Sequence, residues 1–403
     1  MGGEVSLRRP ILSLLKDRLV GRKLVSSLEL FVALGVYLCF FLFSTGCTPK
    51  VATSFWRIGT PADSTREGYA VLYEGNKMRH CYPITEWHDT LNLNSQISNF
   101  KSHDTYHELH HHGVAVESEL MAYRIYFDKK QTIDPYCKRT PQLELAESHW
   151  YPNDSLLAAG YGDDILRVSG TVGVGSVKLW NGKKMVHLEN VAERSQRIVK
   201  QSRHSATIEV AVKGWQPISS LSGEDGRGLD MSVQYTMKDG HRDMRCDVFC
   251  SSPVEGLCTG VQTIPAKGGW PTDTIVLPDG TIALGNNSQL SIINCQLPNG
   301  VLLASWGTDW PVNDSAKYAK ETVGLAVFIP KEYAGALVHD KQNNLCLLKT
   351  INPQTSLNSQ LSTLNYTCHF YLTVVGATKE NHPVATTAEE WYAYLKNWVK
   401  RLK

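Results

Sequence analysis

The chain has 403 residues, 41 Lys+Arg against 39 Asp+Glu, 42% hydrophobic residues, 31 Gly and 17 Pro, the profile of a folded globular protein rather than a disordered tail, coiled coil or collagen. A net charge of +2 leaves no basic stripe interleaved with aromatics, so a nucleic-acid partner is not expected.

Leu30 to Phe43 is an apolar run of 14 residues behind Arg8, Arg9, Lys16, Arg18, Arg22 and Lys23. That length suits the core of an export signal and is short for a membrane span. Ser44-Thr45-Gly46-Cys47 follows, a lipobox-like end that makes Cys47 the expected lipidation site and a lipid anchor the expected membrane partner. An uncleaved membrane anchor is the plainer alternative. Residues 1–46 are thus assigned to a lipoprotein signal, 47–67 to a lipidated tether, 68–385 to a β-domain and 386–403 to a C-terminal helix. Removing 1–46 takes six of the 41 basic and three of the 39 acidic residues, leaving 35 against 36 and a neutral domain. Eight of the ten cysteines remain after Cys39 and Cys47, too sparse for a disulfide scaffold, and mostly free buried thiols are expected.

From Gly68 onward, short β-branched and aromatic runs alternate with Gly, Asp, Asn and Pro. They predict strands at Tyr69–Tyr73, Leu120–Phe127, Val172–Trp180, Ala206–Val212, Met231–Met237, Met244–Cys250, Thr274–Val276, Leu290–Ile293, Val301–Ser305, Thr322–Ile329 and His369–Val375. The fold class is mainly β, a large sandwich or supersandwich of antiparallel strands. Asp239-Gly240 and Asp279-Gly280 mark hairpins, because their turns need the positive φ that Gly adopts cheaply. Thr387-Ala-Glu-Glu390 is a capping box ahead of Trp391, Tyr394, Leu395, Trp398, Val399 and Leu402, so the chain closes with an amphipathic helix packed on the sandwich.

Five of the 14 histidines fall between His103 and His112. His107-Glu108-Leu109-His110-His111 matches HExxH, the zinc motif whose histidines bind metal and whose glutamate activates water. Its surroundings are polar and Gly113 ends any helix, so a polar loop at the mouth of a sandwich is the expectation. No cofactor is expected, with a divalent metal as the lesser alternative. The strand that follows, read as continuous, puts Glu117, Glu119, Met121 and Tyr123 on one face and Leu120, Ala122, Arg124 and Tyr126 on the other. Two like carboxylates on one face are tolerated when a histidine, an arginine or a ligand hydroxyl compensates them; a solvated strand edge is the bland alternative.

Asp134, Tyr136 and Lys138, then Trp150, Tyr151, Tyr161, Asp163 and Asp164, add aromatics among acids and amides. A sugar site needs that mixture: flat rings for CH faces, paired polar groups for hydroxyls. Trp306 to Trp310 is a second candidate platform, although single tryptophans more often belong to cores. Gly170 to Gly175 lacks the Lys and helix of a phosphate loop and reads as a glycine-rich strand turn.

The stretch His111 to Tyr136, with Gly162-Asp-Asp-Ile-Leu and Gly173-Val-Gly further on, resembles an uncharacterised domain-of-unknown-function family (4861) of Bacteroidetes lipoproteins. The resemblance implies a galactose-mutarotase-like supersandwich with a concave sugar-binding face, in the company of enzymes for pectin and other uronate glycans. The expected function is therefore action on uronate-bearing oligo- or polysaccharide by β-elimination or hydrolysis. Elimination draws on His111, Tyr123 or Tyr136, and Lys138; hydrolysis draws on Glu117 or Glu119 with Asp164; a mutarotase-like epimerase draws on Glu119 and His111. His110, His112, Glu117, Arg124, Lys138, Trp150, Asp163, Asp164, Trp306 and Trp310 are the candidate substrate contacts. A non-catalytic glycan-binding lipoprotein, relying on Trp306 and Trp310, is the alternative.

Overall fold

The computed structural model describes residues 50–54, 68–74, 77–84, 109–148, 151–189, 191–216, 228–313, 315–352 and 364–402, with the backbone alone for Ser54, 68–84 and His110. The strands are β1 Val51–Ser54, β2 Gly68–Glu74, β3 Lys77–Ile84, β4 Gly113–Ser118, β5 Met121–Tyr126, β6 Ile133–Cys137, β7 Asp163–Asp164, β8 Lys178–Trp180, β9 Met185–Val186, β10 Glu193–Gln201 and β11 Ser205–Trp215. They continue with β12 Leu229–Lys238, β13 Met244–Cys250, β14 Leu257–Gln262, β15 Asp273–Val276, β16 Ile282–Asn286, β17 Gln289–Leu297, β18 Gly300–Asp309, β19 Glu321–Pro330, β20 Ala334–His339, β21 Asn343–Leu348 and β22 Tyr366–Gly376. A short helix α1 (Asp154–Ala158) and the closing helix α2 (Ala388–Arg401) complete the described elements.

Alternation of apolar and polar residues forces each strand to bury one face, and three sheets satisfy that demand together. A twelve-stranded sheet runs β15-β16-β17-β18-β19-β22-β13-β12-β11-β10-β2-β3, and two five-stranded sheets run β1-β4-β5-β6-β7 and β20-β21-β14-β8-β9. Val114, Met121 and Ile133 from the first small sheet share one core with Leu179, Val261 and Cys346 from the second and with Ile208, Val248, Phe370 and Leu325 from the large sheet. This is the mainly-β sandwich expected from the strand pattern. Pro49–Lys403 clusters as one compact unit.

The two Asp-Gly hairpins form as expected. Met237 pairs with Met244 across a turn holding Gly240 at φ +69°, and Val276 pairs with Ile282 across a turn holding Gly280 at φ +81°. The expected strand Val172–Trp180 is shorter, because only Lys178–Trp180 joins a ladder. Gly173 and Gly175 sit at φ +61° and +70°, and a Cβ on Gly173 would lie 2.5 Å from the Ile133 carbonyl oxygen. The run instead bridges Ile133 of one small sheet and Val261 of the other. The seven cysteines whose side chains are described are free thiols, six of them buried.

The opposite face of the large sheet carries α2. Thr387 Oγ1 accepts from the Glu390 amide at 3.2 Å, while Glu390 Oε2 accepts from the Thr386 amide at 2.8 Å, so the reciprocal arm of the cap returns one residue earlier than the motif implies. Trp391, Leu395 and Trp398 pack on Ala304, Ala326, Phe328 and Val375. Gly324 admits the Trp391 ring, since a Cβ there would stand 2.8 Å from it. Replacing Trp391 with Ala empties that contact. We expect Trp391→Ala to lower unfolding free energy by about 3–5 kcal/mol in urea denaturation, whereas a loss under about 1 kcal/mol would show that α2 is not docked.

Candidate functional site

The outer face of the β1–β7 sheet, turned away from the shared core, gathers most of the expected chemistry. Register builds it. Ala52, Glu117, Ala122, Tyr136 and Asp164 form one cross-strand row, and Ala115, Arg124 and Asp134 form the next. Lys138 follows two residues after Tyr136 on the same side. Leu145 and Tyr136 pack with Ala115 and Ala122 as the small apolar patch beneath the covering segment that follows β6.

The groups are tied tightly. Arg124 Nη2 donates to Asp134 Oδ2 at 2.6 Å and to Asp164 Oδ2 at 2.8 Å, and the Tyr126 hydroxyl also donates to Asp134. Lys138 Nζ pairs with Glu117 and stands 3.9 Å from Glu144. Glu117 accepts from the Glu144 amide at 2.8 Å and the Leu145 amide at 2.9 Å; Glu144 accepts from the Gly162 amide at 3.0 Å. Between the two cations lies the Tyr136 ring, its centroid 5.7 Å from the Arg124 guanidinium and 6.0 Å from Lys138 Nζ.

Charge counting shows what this arrangement demands. Among the described residues, Glu117, Asp134, Glu144 and Asp164 form ion pairs with Arg124 and Lys138 alone, and all six side chains are at most 3% exposed. Two uncompensated negative charges in that setting are costly, so protons are the remedy. Burial raises Asp164 well above the ordinary carboxylate range, with Asp134 adding to it, and burial raises Glu144 and Asp134 as well. Burial works against the Arg124 cation, but Asp134 and Asp164 outweigh it and hold it charged. One Arg between two Asp therefore implies one shared proton.

His111, Glu117, Arg124, Tyr136, Lys138 and Asp164 are brought together. His111 is fully buried, and its Nε2 donates to the Leu145 carbonyl at 2.8 Å, which fixes the proton on that nitrogen. His112 packs edge-on against Tyr126 at 5.9 Å. The backbone at His111 and His112 is left-handed, at φ 55° and 61°, so the helix demanded by a zinc motif does not continue to His111. His107, Glu108 and Trp150 lie outside the described residues, as does the His110 side chain. Among the described residues no group of three or more His, Cys, Asp or Glu is arranged to hold a metal. Cys47 and the signal segment also lie outside them.

Four candidates stand elsewhere. The strand expected to run through Glu117–Tyr126 is broken by a two-residue turn, Glu119-Leu120, that lets Glu117 pair with Ala122. The turn reverses the expected faces, so Glu117 shares a side with Arg124 and not with Glu119. Glu119 instead accepts from the Gly240 amide at 3.1 Å, pinning one hairpin to another. Tyr123 points into the core, its hydroxyl donating to the Arg242 carbonyl at 2.5 Å, and burial pushes it well up. Trp306 packs on the α2 side of the large sheet. Asp163 is buried and raised by burial, but its strand position puts it on the face opposite Asp164.

The network approaches solvent at Tyr151, which is 39% exposed and whose ring centroid lies 5.8 Å from the Arg124 guanidinium. Tyr318, on the loop between β18 and β19, meets Tyr151 at 6.3 Å. Arg167, Asp309, Asn313 and Lys320 surround the same loop and were not singled out from the sequence; the β18 alternation, which puts Leu303, Ser305 and Asp309 on the inner face, was the available signal. A separate groove of about 280 Å³ lies beside α2, lined by Leu277, Pro278, Asp279, Tyr392 and Lys396. Its Asp279 is consumed by Tyr392 at 2.7 Å and Lys396 at 3.2 Å, contacts that fasten the β15–β16 hairpin to the helix.

The fold and site define a large antiparallel sandwich with a sealed ionic network opening at an aromatic mouth. The chain belongs to the family described as Domain of unknown function (DUF4861), which matches residues 68–272 and 273–403. No curated protein matches it.

A raised carboxyl takes up a proton on folding in the window above its ordinary value, so its contribution to stability is present below that window and lost as pH rises through it. Asp164→Asn leaves Arg124 and Asp134 as a balanced pair. The melting temperature of the variant should gain on that of the wild type as pH rises above the ordinary carboxylate value of about 4, and a difference that is flat with pH would contradict the shared proton.

Proposed function

We propose that the chain is an exported lipoprotein, anchored through Cys47, that cleaves glycosidic bonds in uronate-bearing, pectin-like glycans. The observation that carries this reading is the Arg124 guanidinium held by Asp134 and Asp164 directly beneath the half-exposed Tyr151 ring, with Tyr318 beside it. Aromatic faces at the mouth suit the CH faces of sugar rings.

Of the two cleavage chemistries, hydrolysis is the better supported. Elimination needs a base that reaches the C5 proton, yet Tyr123 and Tyr136 both donate to carbonyls and are pushed up by burial, and His111 is fully buried. Hydrolysis needs a carboxylic acid that holds its proton above the ordinary carboxylate range, and burial raises Asp164, Asp134 and Glu144 in that direction. The acid gives its proton to the glycosidic oxygen as the C1–O bond breaks; a second carboxylate takes a proton from the water that adds at C1.

The sealing of the acids favours a second reading, a non-catalytic glycan binder that uses only the surface rings. Incubating the domain from Thr48 onward with pectic, alginate-like, ulvan-like and neutral glycans separates the cases. New reducing ends without an unsaturated ultraviolet-absorbing product are expected. An unsaturated product would establish elimination, retention without turnover the binder, and neither turnover nor retention would overturn the glycan reading.

A further inference from the structure

Asp309 and Glu321 face each other as the last pair of the β18–β19 ladder. Both fall on the inner face, in line with Leu303 and Leu325. Like charges directly opposite on neighbouring strands repel, and a strand end has no need of them. Here each is held by a cation from a different part of the chain: Arg167 Nη2 reaches Asp309 at 3.0 Å, and Lys379 Nζ reaches Glu321 at 2.8 Å. Arg167 Nη1 also donates to Asn313 at 3.3 Å, while its Nε has no hydrogen-bond partner among the described residues. These groups are partly open, with Arg167 at 16% and Asp309 at 14%.

Immediately after β18 comes Trp310, partly exposed, whose amide donates to Asp309 Oδ1 at 2.9 Å. The exposed Lys320 places Nζ 4.2 Å from the Trp310 ring centroid, and among the described residues it has no carboxylate within ion-pair distance. An exposed cation on an aromatic face is held weakly, so the pairing does little for stability. The same loop carries Tyr318, which touches Tyr151, so this corner continues the mouth described above.

We propose that Trp310, Lys320 and Arg167 form a subsite for one carboxylate-bearing sugar ring. Trp310 stacks on the CH face; Lys320 and Arg167 meet the acid group; Asp309 and Glu321 accept from ring hydroxyls. This rests on the glycan reading and names the feature of the glycan it selects, a free uronate carboxylate rather than its methyl ester.

The test is calorimetric binding of a defined oligogalacturonate and of its fully methyl-esterified form to the full-length protein in detergent. Wild type should bind the acid form more tightly. Lys320→Ala should weaken acid binding about tenfold while leaving the ester unchanged, Lys320→Arg should restore it, and Trp310→Ala should weaken both forms, with unchanged melting temperatures throughout. Wild-type binding that neither variant alters would overturn the subsite and leave the glycan reading standing. Equal wild-type affinity for acid and ester would also overturn it. A wild type that binds neither these nor any other glycan would overturn both.

Discussion

Arg124 is one positive charge shared by two buried aspartates, and the geometry of the whole candidate site follows from that imbalance. The cation needs one ionised carboxylate beside it, and both cannot be fully ionised without leaving net negative charge in a dry interior. The three groups come from β5, β6 and β7, so satisfying them locks the register of three strands. Lys138, Glu117 and Glu144 repeat the arrangement one step along, tying β4 and β6 to the segment that covers the face. A sheet whose outer face is charged can be covered only by backbone that supplies donors, and the Glu144, Leu145 and Gly162 amides do so.

Buried ionic networks are poor devices for raw stability, since apolar residues of like volume serve as well. Their retention beside an aromatic opening is what directs attention to function. Tyr136 illustrates the division of labour: its ring separates two cations while its hydroxyl donates to the Gly162 carbonyl at 2.9 Å. It holds the site's shape and has no free proton chemistry. The groups with open surface, Tyr151, Trp310, Arg167 and Lys320, lie at the rim. Arg124 lies against Tyr151, while Asp309 holds Arg167 and the Trp310 amide.

Much of the architecture was legible in the sequence because its determinants are local. Asp239-Gly240 announces the β12–β13 hairpin, and Thr387 with Glu390 and the Trp391 stripe announce α2, each within a dozen residues. The β4–β5 turn was not legible, because Glu119-Leu120 carries none of the Gly, Asn or Pro that usually mark a reversal. Missing that turn shifts every later residue to the wrong face, which is why Arg124 was expected to lie away from Glu117. The residue types of the site were readable as a cluster, but its pairings depend on which strands become neighbours. Asp309 and Arg167 are 142 positions apart in sequence and meet only through the sandwich.

The most direct test of the account is a crystal structure of the protein with a uronate oligosaccharide bound. Sugar rings lying along Tyr151, Tyr318 and Trp310, above the Arg124 network, are the result predicted. A glycan seated in the groove beside α2, or on the far end of the large sheet with the Tyr151 mouth untouched, would contradict it.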